Sequence, residues 1–367
     1  MSFGFYEGSQ FQVETLFKSA IEQKASDIHV VTNRLCSMRV KENIVQTNIK
    51  INEEDLGVFC TRHTNGNRDE VTEFYENRRF SADFAVSFEN RRFRGHLYKS
   101  NNNICGVFRL LSEKIPDLIT LNLPDSVNMF TQATSGLILI CGATGSGKTT
   151  TIASIINKIN EIRAEAIITI EDPIEYIYEE KMAVIEQREV GTHVESFNQA
   201  TIDALREDPD IIVVGEMRDL ETIKNAITLA ETGHLVFGTL HTKSSIDAID
   251  RMVDIFPPEQ QQQIRVQLAS ILYGVMHQQL IKSKSTGKIV ALCEVMIVDN
   301  VLASNIKQPN KNQASALKDY IRNNSKNGCV HIVDNCLWHI KKGRIRVEDI
   351  KHYLSEEDLR LLQARMR

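Results

Sequence analysis

Gly142-Ala143-Thr144-Gly145-Ser146-Gly147-Lys148-Thr149 is a complete match to the phosphate-loop pattern G-x-x-x-x-G-K-[ST]. It follows the apolar run Leu137-Ile138-Leu139-Ile140. It opens a segment with Ile152, Ile155, Ile156 and Ile159 at helical spacing. A buried strand, a glycine-rich turn and a helix whose N-terminus faces the ligand are what this chemistry needs. Glycines let backbone N–H groups close around phosphates where a Cβ would block the approach. Lys148, expected on a solvent-reachable loop, would meet the β- and γ-phosphates. The Thr149 hydroxyl would hold Mg²⁺, with Thr150 following in the first helical turn. The chain therefore reads as binding a nucleoside triphosphate, with ATP and Mg²⁺ at this loop.

Outward from the loop, short apolar runs alternate with helical segments. Strands are predicted at 137–141, 166–170, 211–214 and 235–239, with helices at 149–160, 196–206, 220–231 and 244–254. That alternation predicts an α/β fold, a parallel sheet with helices on both faces, over residues 126–367. Pro257-Pro258 precedes a predicted long helix Glu259–Lys282, then a strand Ile289–Ile297 and a polar helical tail. Residues 1–111 mix a helix at 10–24, a helix at 53–75 and strands at 27–31, 38–40, 82–88, 92–98 and 107–110. They predict a smaller α+β domain. Residues 112–125, with Pro116 and Pro124, read as the linker.

The chain has 367 residues, enough for two domains, with 42% hydrophobic and 25% charged residues. A net charge of −5 gives no global field toward nucleic acid or anionic membrane. Seven scattered cysteines with no C-x-x-C pair argue against a disulfide framework and a zinc ribbon. Residues 1–17 lack the basic and apolar regions of a signal peptide, and no stretch approaches 18 consecutive apolar residues. A cytoplasmic protein is the expectation.

Three further segments carry chemistry. Ile211-Ile212-Val213-Val214-Gly215-Glu216 is an apolar strand ending in a carboxylate, which places Glu216 at the sheet edge beside the phosphate loop to orient water or hold Mg²⁺. Ile167–Ile170 runs into Glu171 and Asp172, where a second acid could polarise the attacking water; a turn ahead of Pro173 is the competing reading. Gly233–Thr242 brackets a strand with His234 and His241. Seven residues apart and without a third ligand, they do not suit a metal, and γ-phosphate sensing competes with purely structural roles. Finally, residues 90–111 interleave Arg91, Arg92, Arg94 and Arg109 with Phe93, Tyr98 and Phe108. Such strands can stack single-stranded nucleic acid, form a solvated face, or send arginines into a neighbouring subunit's nucleotide site.

Together these residues resemble the secretion ATPase superfamily, most closely the type IV pilus retraction ATPases (PilT-like motors). The resemblance runs from Ala25-Ser26-Asp27-Ile28-His29 to about Ile297. It is strongest in ITIEDPIEY (168–176 with Ile168 first), REDPDIIVVGEMRDLETI (206–223) and AETGHLVFGTLHT (230–242). It implies a homohexameric ring with a PAS-like N-terminal domain and a RecA-like ATPase domain. It also implies Glu171 as the water-polarising acid, Glu216 as the Walker B carboxylate, His234 and His241 as the His-box pair, and Arg94 and Arg109 as trans-acting arginines. The implied role is ATP-driven pilus retraction at the cytoplasmic face of the inner membrane, against a platform protein of the pilus machinery. The four-cysteine zinc module of the extension motors is missing, since only Cys293, Cys329 and Cys336 lie in that region. Little of the retraction motif AIRNLIRE survives in Val301–Lys307. An accessory pilus motor or a type II/IV secretion ATPase is the alternative. A nucleic-acid translocase is opposed by the acidic charge and the lack of a long basic run.

Overall fold

The structure, a computed structural model, describes residues 10–41, 43–64, 68–111, 114–284, 286–308 and 313–366. The first nine residues of the N-terminal stretch and Ser112 and Glu113 of the linker lie outside them. By internal contacts the chain divides into two units. One is Met1–Lys114 with Pro173–Ile177 and Glu189–Glu195; the other is Ile115–Asp172 with Tyr178–Arg188 and Ser196–Arg367.

The first unit contains α1 (Gln10–Glu22), β1 (Asp27–Val31), β2 (Leu35–Val40), β3 (Asn43–Lys50), α2 (Glu53–His63), α3 (Arg68–Tyr75), β4 (Ser81–Phe88), β5 (Arg91–Ser100) and β6 (Asn103–Leu110). Its six strands form one antiparallel sheet in the order β3-β2-β1-β6-β5-β4. The helix expected over 53–75 is two helices. Asn52 caps the first, its side chain accepting from the Asp55 N–H, and that helix ends at Thr64. The polar strand β3 escaped the sequence reading because its residues are mostly exposed and show no apolar alternation. Phe17 of α1 packs edge-on against Phe88, Phe93 and Phe108 of the sheet, the centre of a fully buried aromatic core. Also within this unit, the buried carboxylate of Glu189, the last residue of a strand whose other residues belong to the second unit, accepts from Arg92 at 2.8 Å, the Ile174 N–H at 3.0 Å and Thr192 at 3.0 Å.

The second unit contains α4 (Asn128–Gln132), β7 (Gly136–Cys141), α5 (Lys148–Ile162), β8 (Ala166–Glu171), β9 (Val184–Glu189), α6 (Phe197–Ala204), β10 (Ile211–Val214), α7 (Leu220–Glu231), β11 (Leu235–Leu240), α8 (Ser245–Asp254), α9 (Pro258–Ile271), β12 (Leu272–Lys282), β13 (Ile289–Ile297), and the tail helices α10 (Asn300–Lys307), α11 (Gln313–Asn323), α12 (Ile332–Lys341), α13 (Val347–Ile350) and α14 (Glu356–Met366). The sheet order is β13-β12-β7-β11-β10-β8-β9. Strands β12, β7, β11, β10 and β8 run parallel, and β13 is antiparallel to β12. Every residue of β7, β10 and β11 is buried, as expected of strands covered on both faces.

The long helix expected over 259–282 is corrected. It stops at Ile271, and residues 272–282 are a strand between β7 and β13. Seven of its eleven residues are buried, on both faces and with His277 and Gln278 among them, so no period of two survives to mark a strand. Gly274 was the available signal. A Cβ there would come within 2.8 Å of the Phe130 ring and 3.0 Å of the Met296 carbonyl, a close approach typical of a glycine inside a strand.

Candidate active site

Five neighbouring strands deliver one group each toward the C-terminal edge of the parallel sheet. Strand β7 leads into the phosphate loop, β11 ends at His241, β10 ends before Glu216 and β8 ends in Glu171. Strand β12 passes beside the loop, with His277 opposite Cys141, so Gln278 lies next to Gly142.

The loop adopts a conformation that its glycines make possible. Gly142 has φ +146°, and a Cβ on it would lie 2.3 Å from the Gln278 carbonyl oxygen. Gly147 has φ +86° and forms the N-terminal boundary of α5. Helices α6, α7 and α8 begin with Ser196, Asp219 and Ser244, whose side chains each accept from the first turn. Helix α5 begins with no side-chain cap. With no side chain capping it, the start of α5 faces the loop, and the helix dipole favours negative charge there.

Lys148 is buried, 8% exposed, where a solvent-reachable side chain was expected. Its Nζ donates to the Gly142 carbonyl at 2.7 Å and the Ala143 carbonyl at 3.2 Å. Those carbonyls hold the ammonium across the loop's own concavity, where phosphate oxygens would otherwise satisfy it. Burial pulls Lys148 below the ordinary lysine range, and the Glu216 carboxylate opposes that pull. The Ser146 hydroxyl is buried with no hydrogen-bond partner among the described residues. A fully buried orphan hydroxyl in an uncapped glycine loop is the polar deficit that a bound phosphate fills. Thr149 is exposed.

Glu216 is gripped by the Arg218 guanidinium at both carboxylate oxygens, and His241 Nε2 lies 3.0 Å from its Oε1. Burial pushes the Glu216 carboxyl up. The Arg218 hydrogen bond and charge, with His241 and Lys148, outweigh it and hold the group below the usual carboxylate range. Burial, and then the Lys148 charge, lower His241 below the ordinary imidazole range, while Glu216 opposes them. Glu171 Oε1 accepts from the Thr169 hydroxyl at 2.7 Å and from Gln187 at 3.1 Å, which fixes the carboxylate's orientation. The ends of β8 and β10 adjoin, because the Gly215 N–H donates to the Ile170 carbonyl.

His234 does not join this group. It precedes β11, and its backbone carbonyl accepts from Gly136 at the start of β7, the edge opposite the phosphate loop. Seven steps of about 3.3 Å each along the strand separate the two histidines by about 23 Å. Its Nδ1 lies near Thr232 Oγ1 and the Leu229 carbonyl.

Arg94 and Arg109 belong to the first unit, both exposed, directly opposite each other on β5 and β6. Arg109 donates to the buried Asp27 at 2.9 Å, and Asp27 sits opposite both Arg109 and Arg39 in the sheet. Gln278 and Arg218 are the residues the sequence reading missed as functional. Arg218 stood two places after Glu216, in a motif already quoted. Gln278 was hidden by the assignment of its strand to a helix.

Among the described residues no helix is long and apolar enough to cross a membrane. Residues 10–366 match the family described as type II/IV secretion system protein. The type IV pilus "retractation" ATPase PilT of Pseudomonas aeruginosa is 38% identical over 288 residues, covering 78% of this chain and 82% of that one. The type IV pilus ATPase PilU of the same organism is 31% identical over 357 residues, covering 96% and 91%. A crystal structure of the pilus retraction motor PilT with bound ADP superposes with a TM-score of 0.77 at 37% identity, covering 88% of this chain and 95% of the other.

Proposed function

The chain belongs to the type II/IV secretion system protein family, and from that premise we propose that it is the motor that withdraws a type IV pilus. It is a nucleotide-binding ATPase of the PilT-like kind, with a RecA-like domain and a smaller N-terminal domain. The observation that carries retraction is 38% identity, across most of both chains, to a protein named for that activity. The lack of a four-cysteine module adds to it.

In this reading ATP lies along Gly142–Thr150, its β- and γ-phosphates taking the uncapped N–H groups of α5, the Ser146 hydroxyl and Lys148 in place of the loop carbonyls. The Thr149 hydroxyl and the ionised Glu216 are hard oxygen donors that would hold Mg²⁺, which neutralises phosphate charge. Glu171, oriented by Thr169 and Gln187, accepts the proton of the attacking water as its oxygen bonds to the γ-phosphorus and ADP leaves. His241 holds Glu216 in place. Arg94 and Arg109 act on a neighbouring subunit's γ-phosphate in a homohexamer, where a guanidinium stabilises the charge on the transferred group. The ring works at the cytoplasmic face of the inner membrane, on the platform protein of the pilus machinery.

A second reading, an accessory pilus motor, is favoured by one observation. Val301–Lys307 keeps little of the retraction motif. Fluorescently labelled pili watched in a deletion strain separate the readings. Retraction predicts pili in normal or excess number that never withdraw. Bald cells would assign the protein to extension, and normal withdrawal would make it an accessory or secretion motor.

A further inference from the structure

Gln278 touches the phosphate loop from outside it, and every polar atom of its amide is used. Its Nε2 donates to the Ser146 carbonyl at 2.7 Å, and its Oε1 accepts from the Thr151 hydroxyl at 2.7 Å. The side chain is 2% exposed. Ser146 lies in the loop and Thr151 in the first turn of α5, so one planar amide spans the turn that a phosphate must enter. The same residue lies under both flanking glycines. A Cβ at Gly142 would meet its backbone oxygen at 2.3 Å, and a Cβ at Gly147 its Nε2 at 2.7 Å.

We propose that Gln278 is a positioning residue for ATP binding, an external brace that holds the loop open in the phosphate-accepting shape. The brace is itself anchored. Strand β12 pairs with β7 on one side and along nine positions with β13 on the other. Just past its end, the Ser283 hydroxyl donates to Asp349 at 3.3 Å and the Lys284 N–H donates to the same carboxylate at 3.1 Å. A glycine-rich loop has many conformations of similar energy, and phosphate binding selects one of them. Fixing the Ser146 carbonyl removes alternatives before the ligand arrives, so the effect falls on nucleotide affinity. The amide donates to no catalytic carboxylate and is not placed on the attacking water. The chemical step is therefore spared.

This inference rests on the ATP-binding reading of the loop, and a Lys148→Ala control keeps the two apart: if that variant turns over normally, the loop reading itself is wrong. The test is steady-state hydrolysis and fluorescent ADP-analogue binding with the full chain. Gln278→Glu keeps the shape but replaces the donor with an oxygen facing the Ser146 carbonyl. Thr151→Val keeps the volume but removes the hydroxyl that orients the amide. Gln278→Glu is expected to raise the ATP KM and the analogue Kd about tenfold or more, and Thr151→Val about threefold, with kcat within about threefold of wild type in both. Gln278→Asn, too short to span the turn, should follow Gln278→Glu. An unchanged KM in folded variants overturns the proposal, and so does a loss confined to kcat. Should the Gln278 variants not fold, an unchanged KM in Thr151→Val alone counts against it.

Discussion

Arg94 and Arg109 face each other across adjacent antiparallel strands, and Asp27, opposite Arg109 on its other side, accepts from one of them only. Like charges directly opposite in a sheet are destabilising, so the pair favours an anion near it. In the proposed homohexamer a neighbour's γ-phosphate would meet that requirement. Arg94→Ala and Arg109→Ala, each as homogeneous protein, are expected to bind nucleotide nearly normally and lose hydrolysis by about 10³-fold or more. Mixed with an inactive Lys148→Ala variant under conditions of subunit exchange, part of the activity should return. A mixture that stays inactive would place the arginines' action within their own chain.

Lys148→Ala is expected to abolish hydrolysis and to lower stability modestly. The buried ammonium is bonded to two loop carbonyls, and its removal costs about 1–3 kcal/mol. Phosphate release assays and a thermal melt measure both. Near wild-type turnover would contradict the phosphate-loop assignment.

Glu216→Gln and Glu171→Gln should still bind the fluorescent ADP analogue while turnover falls by about 10²–10⁴-fold, the range for losing a group that acts on the reacting water or its charge. Loss of binding in both would mean that these carboxylates support the site's shape instead.

Stability should fall as pH drops from about 6.5 toward 4. Burial lowers both His277 and His339 from 6.5 to about 4. The unfolded chain takes up these protons at the higher pH while the folded chain resists. The stability is fully present above 6.5 and lost through that window, by up to about 3 kcal/mol per histidine. Glu294, raised by burial, has the opposite sign and offsets part of the loss. Denaturant midpoints at pH 7.5 and pH 5 measure it. His277→Gln and His339→Gln should each flatten the dependence, and a flat wild-type profile would refute it.

The core of the site was legible because strands buried on both faces read as unbroken apolar runs. Such runs end where the sheet ends, so Glu171, Glu216 and His241 could be placed at one edge without coordinates. The same arithmetic separates His234 from His241, since a six-residue strand spans the sheet. What was not legible has two physical causes. β3 is polar and exposed, so it carries no burial signal. β12 is buried on both faces, and its extended shape is dictated by β7, distant in sequence, and by β13, which follows it closely and pairs back on it. Missing that strand meant missing Gln278. Lys148 was misjudged for a related reason: a motif gives a residue's chemistry but not which carbonyls it leans on.

The chain returns to the first unit twice after leaving it, at Pro173–Ile177 and Glu189–Glu195. Cutting the gene near residue 125 would therefore not yield a free-standing ATPase. A fragment starting there would strip Glu189 of Arg92 and leave Pro173–Ile177 and Glu189–Glu195 without the rest of their unit. Threading of this sort also replaces a single tether with several. Pro173, assigned to the first unit, follows Asp172 directly and stands two residues from the proposed catalytic Glu171.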